Sequence, residues 1–319
     1  MSEQVLATAT VRVPASTSNL GAGFDCVGLA IDRWMRVTVE LLDGPPGVEL
    51  VRRGTLRVLD VRDDDAAHDL IVRGFHAIAG PGWAGRARFV AESAIPVARG
   101  LGSSGAALLA GAALANAVLK LGRAPLDLAR ACLSIEGHPD NLAPAALGGA
   151  VLVARTGDSS AHFSRLQVDE SLAFAFAVPD FEVQTSRARA ALPATLPFAI
   201  AAQAASRAAS LVQGLRTGDA ELLAFAFDDV LHVPCRRALV PHLDAASSAA
   251  RDAGAYGATL SGSGSSIVAV APASAAPLVA DAMAAAWRAH GVEADSFSTR
   301  VGPSGLTIES TSARSLACP

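Results

Sequence analysis

One apolar helix that follows a glycine-rich turn constrains the fold more than any other stretch. Residues Ala106 to Lys120 are almost all Ala and Leu and predict a helix. Because such a helix is apolar on nearly every face, it must be buried on most sides. Enclosing it requires several other elements, and 319 residues that are 51% hydrophobic are enough for two modest domains with real cores.

The turn before this helix is Gly100-Leu101-Gly102-Ser103-Ser104. Glycine lets the backbone approach a ligand closely and adopt positive φ. The helix start adds free N–H groups and partial positive charge, which suit a phosphate. The two serine hydroxyls can cap the helix, bind a phosphate oxygen or ligate Mg²⁺. An ordinary strand–turn–helix junction with a serine N-cap would explain the same residues.

Two further loops are rich in small residues. Residues 259–266 read Thr-Leu-Ser-Gly-Ser-Gly-Ser-Ser, and a flexible Gly/Ser turn would have the same composition. The segment from Pro14 to Asp25 contains Asn19 and one carboxylate, Asp25, between Phe24 and Cys26. A carboxylate among small and apolar residues needs a partner if it is buried, whereas a solvated loop acid does not.

Residue counts exclude several classes of protein. Lys120 is the only lysine beside 25 arginines, and no G-x-x-x-x-G-K-[ST] loop or protein-kinase motif surrounds it. A net charge of -4 without a basic run argues against a nucleic-acid partner. No apolar run reaches 18 residues, so we expect no membrane span, and without a visible secretory signal we expect a cytoplasmic location.

Transition-metal and disulfide chemistry are also disfavoured. The cysteines, Cys26, Cys132, Cys235 and Cys318, are widely spaced, and the seven histidines form no H-E-x-x-H pair. Scattered cysteines of this kind are typical of free thiols rather than of zinc ligands or a disulfide framework. We therefore expect no transition metal.

Hydrophobic patterning predicts a mixed α+β chain rather than a strict βαβ series. The predicted strands are 6–13, 35–42, 48–52, 87–92, 150–154, 172–178, 265–270 and 292–300. The predicted helices are 68–79, 106–120, 126–135, 198–215, 219–230, 241–253 and 275–290. A polar stretch at 156–164 suggests two domains, 1–160 and 161–319.

Taken together, the three loops closely resemble the three motifs of the GHMP kinase superfamily. The motifs are P-A-S-T-S-N-L-G-A-G-F-D at 14–25, P-V-A-R-G-L-G-S-S-G at 96–105 and T-L-S-G-S-G-S at 259–265. The first is typical of the homoserine kinases, since sugar and mevalonate kinases usually carry P-G-R-x-N-x-x-G-E there. The segments Glu136-Gly-His-Pro-Asp-Asn141, Thr185-x-x-Ala-Arg189-x-x-Leu-Pro193 and Pro234-x-Arg236 are also similar to that family.

The resemblance implies a fold and a nucleotide site. The fold would have an N-terminal domain with a left-handed βαβ unit and a ferredoxin-like C-terminal domain. ATP would be the phosphoryl donor, with Mg²⁺ bound by Ser104 and Glu136, hard oxygen donors that suit this ion. The residues implied to wrap the phosphates are Pro96, Val97, Ala98, Arg99, Gly100, Leu101, Gly102, Ser103, Ser104, Gly105 and Ala106.

The implied second substrate is L-homoserine, a zwitterion. Asp25 would accept its ammonium group, while Arg189 and Arg236 would bind its carboxylate bidentately. The further residues implied to contact substrate are Asn19, Asn141, Thr185, Ser261 and Gly262. We expect no dedicated general base, because positioning and charge neutralisation carry most of phosphoryl transfer. Asp25, Asn141 and Thr185 would then be the catalytic residues, orienting the hydroxyl.

Some positions depart from the family pattern and some alternatives stay open. Gly105 replaces a usual Ala, Asp69 stands where many relatives have an Asn near the adenine, and the Glu136-to-Asn141 spacing is the short form. The alternatives are a GHMP kinase for another small hydroxyl compound, a non-catalytic relative and a nucleotide-binding structural protein. Relatives suggest a homodimer.

Overall fold

The computed structural model describes residues 4–59, 68–155, 161–300, 302 and 304–313. The strands are β1 Val5–Ser18, β2 Val27–Leu42, β3 Gly47–Gly54, β4 Arg86–Ser93, β5 Ala150–Arg155, β6 Ala161–Leu166, β7 Leu172–Pro179, β8 Gly257–Leu260, β9 Ile267–Pro272, β10 Ala294–Arg300 and β11 Thr307–Ala313. The helices are α1 Leu70–Ala79, α2 Ser103–Val118, α3 Pro125–Glu136, α4 Pro139–Leu147, α5 Thr185–Ala190, α6 Phe198–Thr217, α7 Ala220–Phe227, α8 Val233–Arg236, α9 Leu243–Asp252 and α10 Ala276–Arg288. Short 3-10 helices span Thr55–Leu59 and Arg237–Leu239.

In the described part of the chain, the first sheet has seven strands. Its main path is β11-β1-β2-β4-β3, and β5 pairs with both β2 and β6. All pairs are antiparallel except β3 with β4, which run parallel with α1 between them in the chain. This is a βαβ unit, as the resemblance implies, and its left-handedness stays a prediction.

Helix α2 is enclosed by this half of the molecule. Every residue from Gly105 to Asn116 is buried. Its neighbours are α1, α3 and α4 together with β1 and β2. The predicted burial of this helix is therefore confirmed, and it fixes where the glycine-rich turn at its start must lie.

The second sheet has the strand order β10-β7-β9-β8, with every pair antiparallel. In chain order this is the 4-1-3-2 arrangement of a β-α-β-β-α-β unit, which confirms the ferredoxin-like expectation. Strand β7 is buried on both faces because Phe174 and Phe176 join the larger hydrophobic core while Ala175 and Ala177 join the smaller one. Strand β9 is divided in the same way, so the two cores meet across the two central strands of this sheet.

The predicted division into domains 1–160 and 161–319 stays a prediction. The strands of the first sheet come from both sides of this boundary. Strand β6 lies beyond residue 160 yet pairs with β5, and β11 near the end of the chain pairs with β1. Residues 156–160 and Cys318 lie outside the described residues. In the part of the chain that is described, no helix is long and apolar enough to cross a bilayer.

Several elements differ from the sequence-based expectation. The pattern gave no element for α4, α5, α8, β6, β8 or β11, and it placed the start of the second strand at 35 rather than at Val27. Helix α4 escapes prediction because it begins at Pro139 and contains Pro144, and proline interrupts the helical pattern. Strand β11 escapes prediction because it is polar and exposed and so lacks the alternation of an amphipathic strand.

Candidate active site

The three small-residue loops meet at one cleft. Ser261 Oγ donates a hydrogen bond of 2.7 Å to the carbonyl of Gly100, and it also lies 2.8 Å from Thr17 Oγ1. The amide of Gly262 donates to the carbonyl of Ser18 at 2.9 Å. Backbone and hydroxyl bonds between loops far apart in sequence thus hold residues 14–25, 98–104 and 259–266 together.

The glycine-rich turn has the geometry of an anion site. Gly100 and Gly102 have φ of +72° and +66°, the left-handed region that favours glycine. A Cβ on Gly102 would lie only 2.1 Å from Ser16 Oγ. Gly102 is the N-cap of α2, and no side chain caps the helix. The predicted alternative, a serine N-cap, is therefore absent, and the first amides of α2 are free to bind an anion.

The predicted nucleotide residues divide into three groups. Residues 98–104 line the cleft, whereas Gly105 and Ala106 are buried within α2. Pro96 and Val97 line a neighbouring cavity. The Arg99 guanidinium, although Arg99 lines the cleft, binds the carbonyls of Pro179 and Asp180 at 2.9 and 2.6 Å. The Arg99 side chain thus ties the start of the glycine-rich turn to the end of β7.

The predicted magnesium ligands are neighbours in the cleft. Ser104 Oγ donates a hydrogen bond of 2.8 Å to Glu136 Oε1. His138 Nδ1 lies 3.5 Å from the same oxygen, and this contact raises the pKa of His138. A hydroxyl and a carboxylate at hydrogen-bond distance beside a free helix start form a donor set that fits Mg²⁺. Among the described residues, no group of three or more His, Cys, Asp or Glu side chains is arranged to hold a metal ion.

Asp25 and Arg189, which come from opposite halves of the chain, form a bidentate ion pair. Arg189 Nη1 donates to Asp25 Oδ2 at 2.8 Å, and Nη2 donates to Oδ1 at 3.0 Å. Arg189 lies on α5, which the sequence pattern missed. The pairing brings together two residues that the resemblance assigns to opposite ends of one zwitterion.

Arg236 is the second arginine of the site and is only 2% exposed. Its Nε donates to the carbonyl of Ala188 at 3.1 Å, and its Nη1 lies 3.3 Å from both His232 Nδ1 and the carbonyl of Gly262. Burial, followed by the Arg189 charge, lowers the pKa of Arg236 to about 10. The guanidinium therefore stays charged at neutral pH and faces the cleft with its Nη2 unbound in the described part of the chain.

Phe24 contacts both arginines. The guanidinium carbons of Arg189 and Arg236 lie 5.2 and 5.3 Å from the centre of its ring. The ring also stacks on the buried His232 at 5.1 Å. Cation–π contact with one ring offsets part of the repulsion between two like charges.

Three polar residues that the resemblance implies as substrate contacts, Asn141, Asn19 and Thr185, also line the cleft. Asn141 is held between two serines, since its Oδ1 accepts from Ser16 Oγ and its Nδ2 donates to Ser18 Oγ, both at 3.1 Å. Asn19 donates from Nδ2 to the carbonyl of Gly262 and accepts the amide of Asp25 at Oδ1. Thr185 Oγ1 lies 3.4 Å from Ser263 Oγ at the mouth of the cleft.

Asp140 is a residue of the cleft to which the sequence assigned no role. It is 2% exposed, and its Oδ1 has no hydrogen-bond partner among the residues that the structure describes. Burial, followed by the nearby Asp25 charge, raises the pKa of its carboxyl to about 6. Asp140, His138 and Phe24 all lie within quoted motifs, so the motifs were the signal that could have found them. His232 lies just before the Pro234-x-Arg236 segment and was missed because nothing in the sequence marks its burial.

Two other residues that the sequence analysis singled out, Asp69 and Lys120, lie outside the cleft. Asp69 caps α1 by accepting the amide of Ile71 at 2.8 Å, and it pairs with Arg52 at 2.9 Å. Asp69 therefore has well-defined protein partners of its own. Lys120 has φ of +54° just beyond α2, at the far end of that helix from the glycine-rich turn.

Comparison with known proteins agrees with this geometry. Residues 69–149 match the model of the GHMP kinases N terminal domain, and residues 211–289 match that of the GHMP kinases C terminal. The chain is 37% identical over 314 residues to a homoserine kinase of Trichormus variabilis, covering 95% of this chain and 99% of that protein. The chain belongs to the homoserine kinase family.

Other members of the homoserine kinase family extend this likeness. A homoserine kinase of Microchaete diplosiphon is 35% identical over 293 residues, covering 91% of this chain and 94% of that protein. The crystal structure of homoserine kinase from Cytophaga hutchinsonii superposes with a TM-score of 0.84 at 29% identity, covering 94% and 97% of the two chains. The family likeness thus spans both sheets and all three loops.

Proposed function

We propose that the protein transfers the γ-phosphoryl group of ATP to the side-chain hydroxyl of L-homoserine, giving O-phospho-L-homoserine for threonine biosynthesis. One observation carries the proposal. Two guanidinium groups, Arg189 and Arg236, line the same cleft as the uncapped start of α2, and Arg189 holds the carboxylate of Asp25 beside it. A zwitterion and a polyphosphate can therefore bind side by side. The homoserine kinases that this chain resembles support the same substrate pair.

ATP would bind with its phosphates at the glycine-rich turn. The free amides at the start of α2 would contact phosphate oxygens, and the helix dipole favours their negative charge. Ser104 and Glu136 would hold Mg²⁺, which neutralises charge on the phosphates when bound. The predicted contacts from Gly105 and Ala106 would be restricted to backbone groups, because both residues are buried in α2.

Homoserine binding would reorganise the Asp25–Arg189 pair. The substrate ammonium would take over one carboxylate oxygen of Asp25, and the substrate carboxylate would bridge Arg189 and the unbound Nη2 of Arg236. The exchange replaces one ion pair by two, so charge stays balanced in the cleft. Because Arg236 is held by Ala188, His232 and Gly262, its guanidinium is already oriented for this contact.

The chemistry would rest on orientation rather than on a general base. Asn141 is fixed at both ends of its amide by Ser16 and Ser18 and would hold the nucleophilic hydroxyl near the glycine-rich turn. Phosphoryl transfer passes through a loose transition state in which little proton transfer is needed early. Holding the two substrates in line supplies most of the rate enhancement. Thr185, Asn19 and Gly262 would complete the wall around homoserine, whereas the buried Ser261 would hold its loop against the glycine-rich turn rather than contact substrate.

The test measures ADP release from MgATP with L-homoserine, L-serine, L-threonine, mevalonate and galactose. We expect kcat/KM for homoserine to exceed the others by about a hundredfold or more, which corresponds to about 2.7 kcal/mol of discrimination. A higher value for mevalonate or galactose would favour another GHMP kinase activity. ATP binding without turnover would favour a non-catalytic relative.

The cytoplasmic location and the homodimer expected from the sequence are also part of this proposal.

A further inference from the structure

Arg99 is the one charged residue of the predicted nucleotide segment, and the proposed function leaves it without a role. Its guanidinium donates from Nε to the carbonyl of Pro179 at 2.9 Å and from Nη2 to that of Asp180 at 2.6 Å. Nη1 donates to the carbonyl of Val97 at 3.0 Å and lies 3.3 Å from Glu182 Oε1. All three nitrogens thus have protein partners, and the guanidinium is held by the protein rather than left free for a phosphate.

Three of the partners of Arg99 belong to the segment 179–182, which leaves β7 and leads to α5. A second tie holds this segment, because Ser265 Oγ donates to the carbonyl of Phe181 at 2.6 Å. The amide of the next residue, Ser266, donates to the carbonyl of Arg99 at 3.2 Å. The segment, the start of the glycine-rich turn and the loop that carries both serines are therefore joined in a closed ring of hydrogen bonds.

Helix α5 follows this ring and carries Thr185 and Arg189, two proposed contacts of homoserine. The structure describes all six of its residues, and of these only Ala188 is buried. A helix this short is not stable on its own, so α5 depends on tertiary contacts. Arg236 bonds the carbonyl of Ala188, and Asp25 pairs with Arg189. Helix α5 is therefore supported from the homoserine side by these two residues and from the nucleotide side by the ring.

We propose that Arg99 is a positioning residue that couples the two substrate sites, so that a nucleotide at the glycine-rich turn tightens the binding of homoserine. This inference rests on the proposed function. Phosphates bound to the amides of the turn would fix its backbone, and Arg99, which directly precedes Gly100, would carry that restraint into 179–182. Homoserine would then meet an α5 that is already ordered, so its binding would cost less conformational entropy. By linkage, homoserine must tighten nucleotide binding by the same factor.

Isothermal titration calorimetry on the full chain measures this coupling. The Kd of L-homoserine is determined for the free protein and for protein saturated with Mg²⁺ and a non-hydrolysable ATP analogue in which an NH group bridges the β- and γ-phosphates. The ratio of the two Kd values is the coupling factor, and we expect about tenfold for the wild-type chain. A nucleotide titration of each variant verifies that it is saturated.

Two substitutions cut the ring at different places. Arg99→Met keeps an aliphatic stem but removes every side-chain donor, and it should lower the coupling factor to about twofold or less. Ser265→Ala removes the bond to the carbonyl of Phe181 and should also lower the factor, because one of the two ties to the segment 179–182 is lost. If circular dichroism shows that Arg99→Met does not fold, Ser265→Ala decides the test.

Arg207→Met is the matched control. The Arg207 side chain is 12% exposed, close to the 15% of Arg99, and it donates to the carbonyls of Phe225 and Asp228 without lining the cleft. This variant should lose stability and keep the wild-type coupling factor, as Arg99→Met would if its role were merely structural. The inference is overturned if the wild-type protein binds homoserine equally well with and without nucleotide, or if neither ring variant lowers the factor. Those results leave the proposed function standing, whereas failure of the wild-type protein to bind homoserine at all overturns both.

Discussion

Replacing Gly102 by alanine places a methyl group where the glycine-rich turn touches β1. The new Cβ would lie 2.1 Å from Ser16 Oγ and 2.9 Å from the Ser16 carbonyl oxygen, so backbone as well as side chain must move. Gly105, three residues later, is a matched control because its nearest neighbours would be carbon atoms of Asn141 and Leu142 at 3.6 Å. Gly102 has φ of +66°, whereas Gly105 lies inside α2.

The two substitutions should have opposite effects. An ordinary contact is at least 3.4 Å, so Gly102→Ala requires a displacement of about 1 Å, and misplacement of this size costs about 10²-fold in rate. The left-handed conformation adds about 1–2 kcal/mol of destabilisation. Gly105→Ala should instead stabilise by about 0.5–1 kcal/mol, because alanine favours a helix and loses less entropy on folding. That gain raises Tm by about 1–3 °C.

Both variants are measured by ADP release with MgATP and homoserine and by differential scanning fluorimetry. We expect kcat/KM of Gly102→Ala to fall by about 10²-fold at a temperature where circular dichroism shows the variant folded. Gly105→Ala should keep wild-type kcat/KM and melt at a higher temperature. If Gly102→Ala keeps wild-type kcat/KM, the close approach of the turn to β1 does not position the phosphates and the reasoning is refuted.

Three other perturbations test the cleft. Asp25→Asn should raise the KM for homoserine by about tenfold or more through loss of the ammonium partner, and a loss confined to kcat would identify Asp25 as a base instead. Glu136→Gln should raise the Mg²⁺ concentration for half-maximal activity, whereas the exposed Glu170→Gln should not; equal responses would contradict a metal role. The pKa of Asp140 is raised to about 6, so its stabilising contribution is complete below pH 3.8 and is lost as the pH rises through 6. The Tm of Asp140→Asn relative to wild type should therefore rise between pH 4 and pH 6, and a constant difference would contradict the burial of this carboxyl.

The sequence predicted which segments would form the cleft but not how their side chains pair. The glycine-rich turn and the 259–265 loop were singled out by composition and order, and Ser261 does bond to Gly100. The Asp25–Arg189 pair joins residues 164 positions apart in the sequence. Such a contact depends on the packing of the second sheet against the first, which local pattern does not specify.

Elements whose stability comes from distant partners were the ones that escaped prediction. Strand β11 is exposed and polar, and it becomes a strand because β1 offers an unpaired edge. Helix α4 starts at Pro139, a residue that fits a helix start yet resembles a break in the pattern. Burial of Asp140 and His232 likewise depends on tertiary packing, so their shifted pKa values could not be anticipated from residue type.

The return of β11 to the first sheet has a consequence for biosynthesis. During synthesis β1 is made before the other strands of its sheet, but the strand that pairs with its free edge is made some 300 residues later. Until then that edge of the first sheet is open to other strands, a state that favours aggregation. The first sheet is thus begun with β1 and completed only when β11, the last of its strands in the chain, has been made.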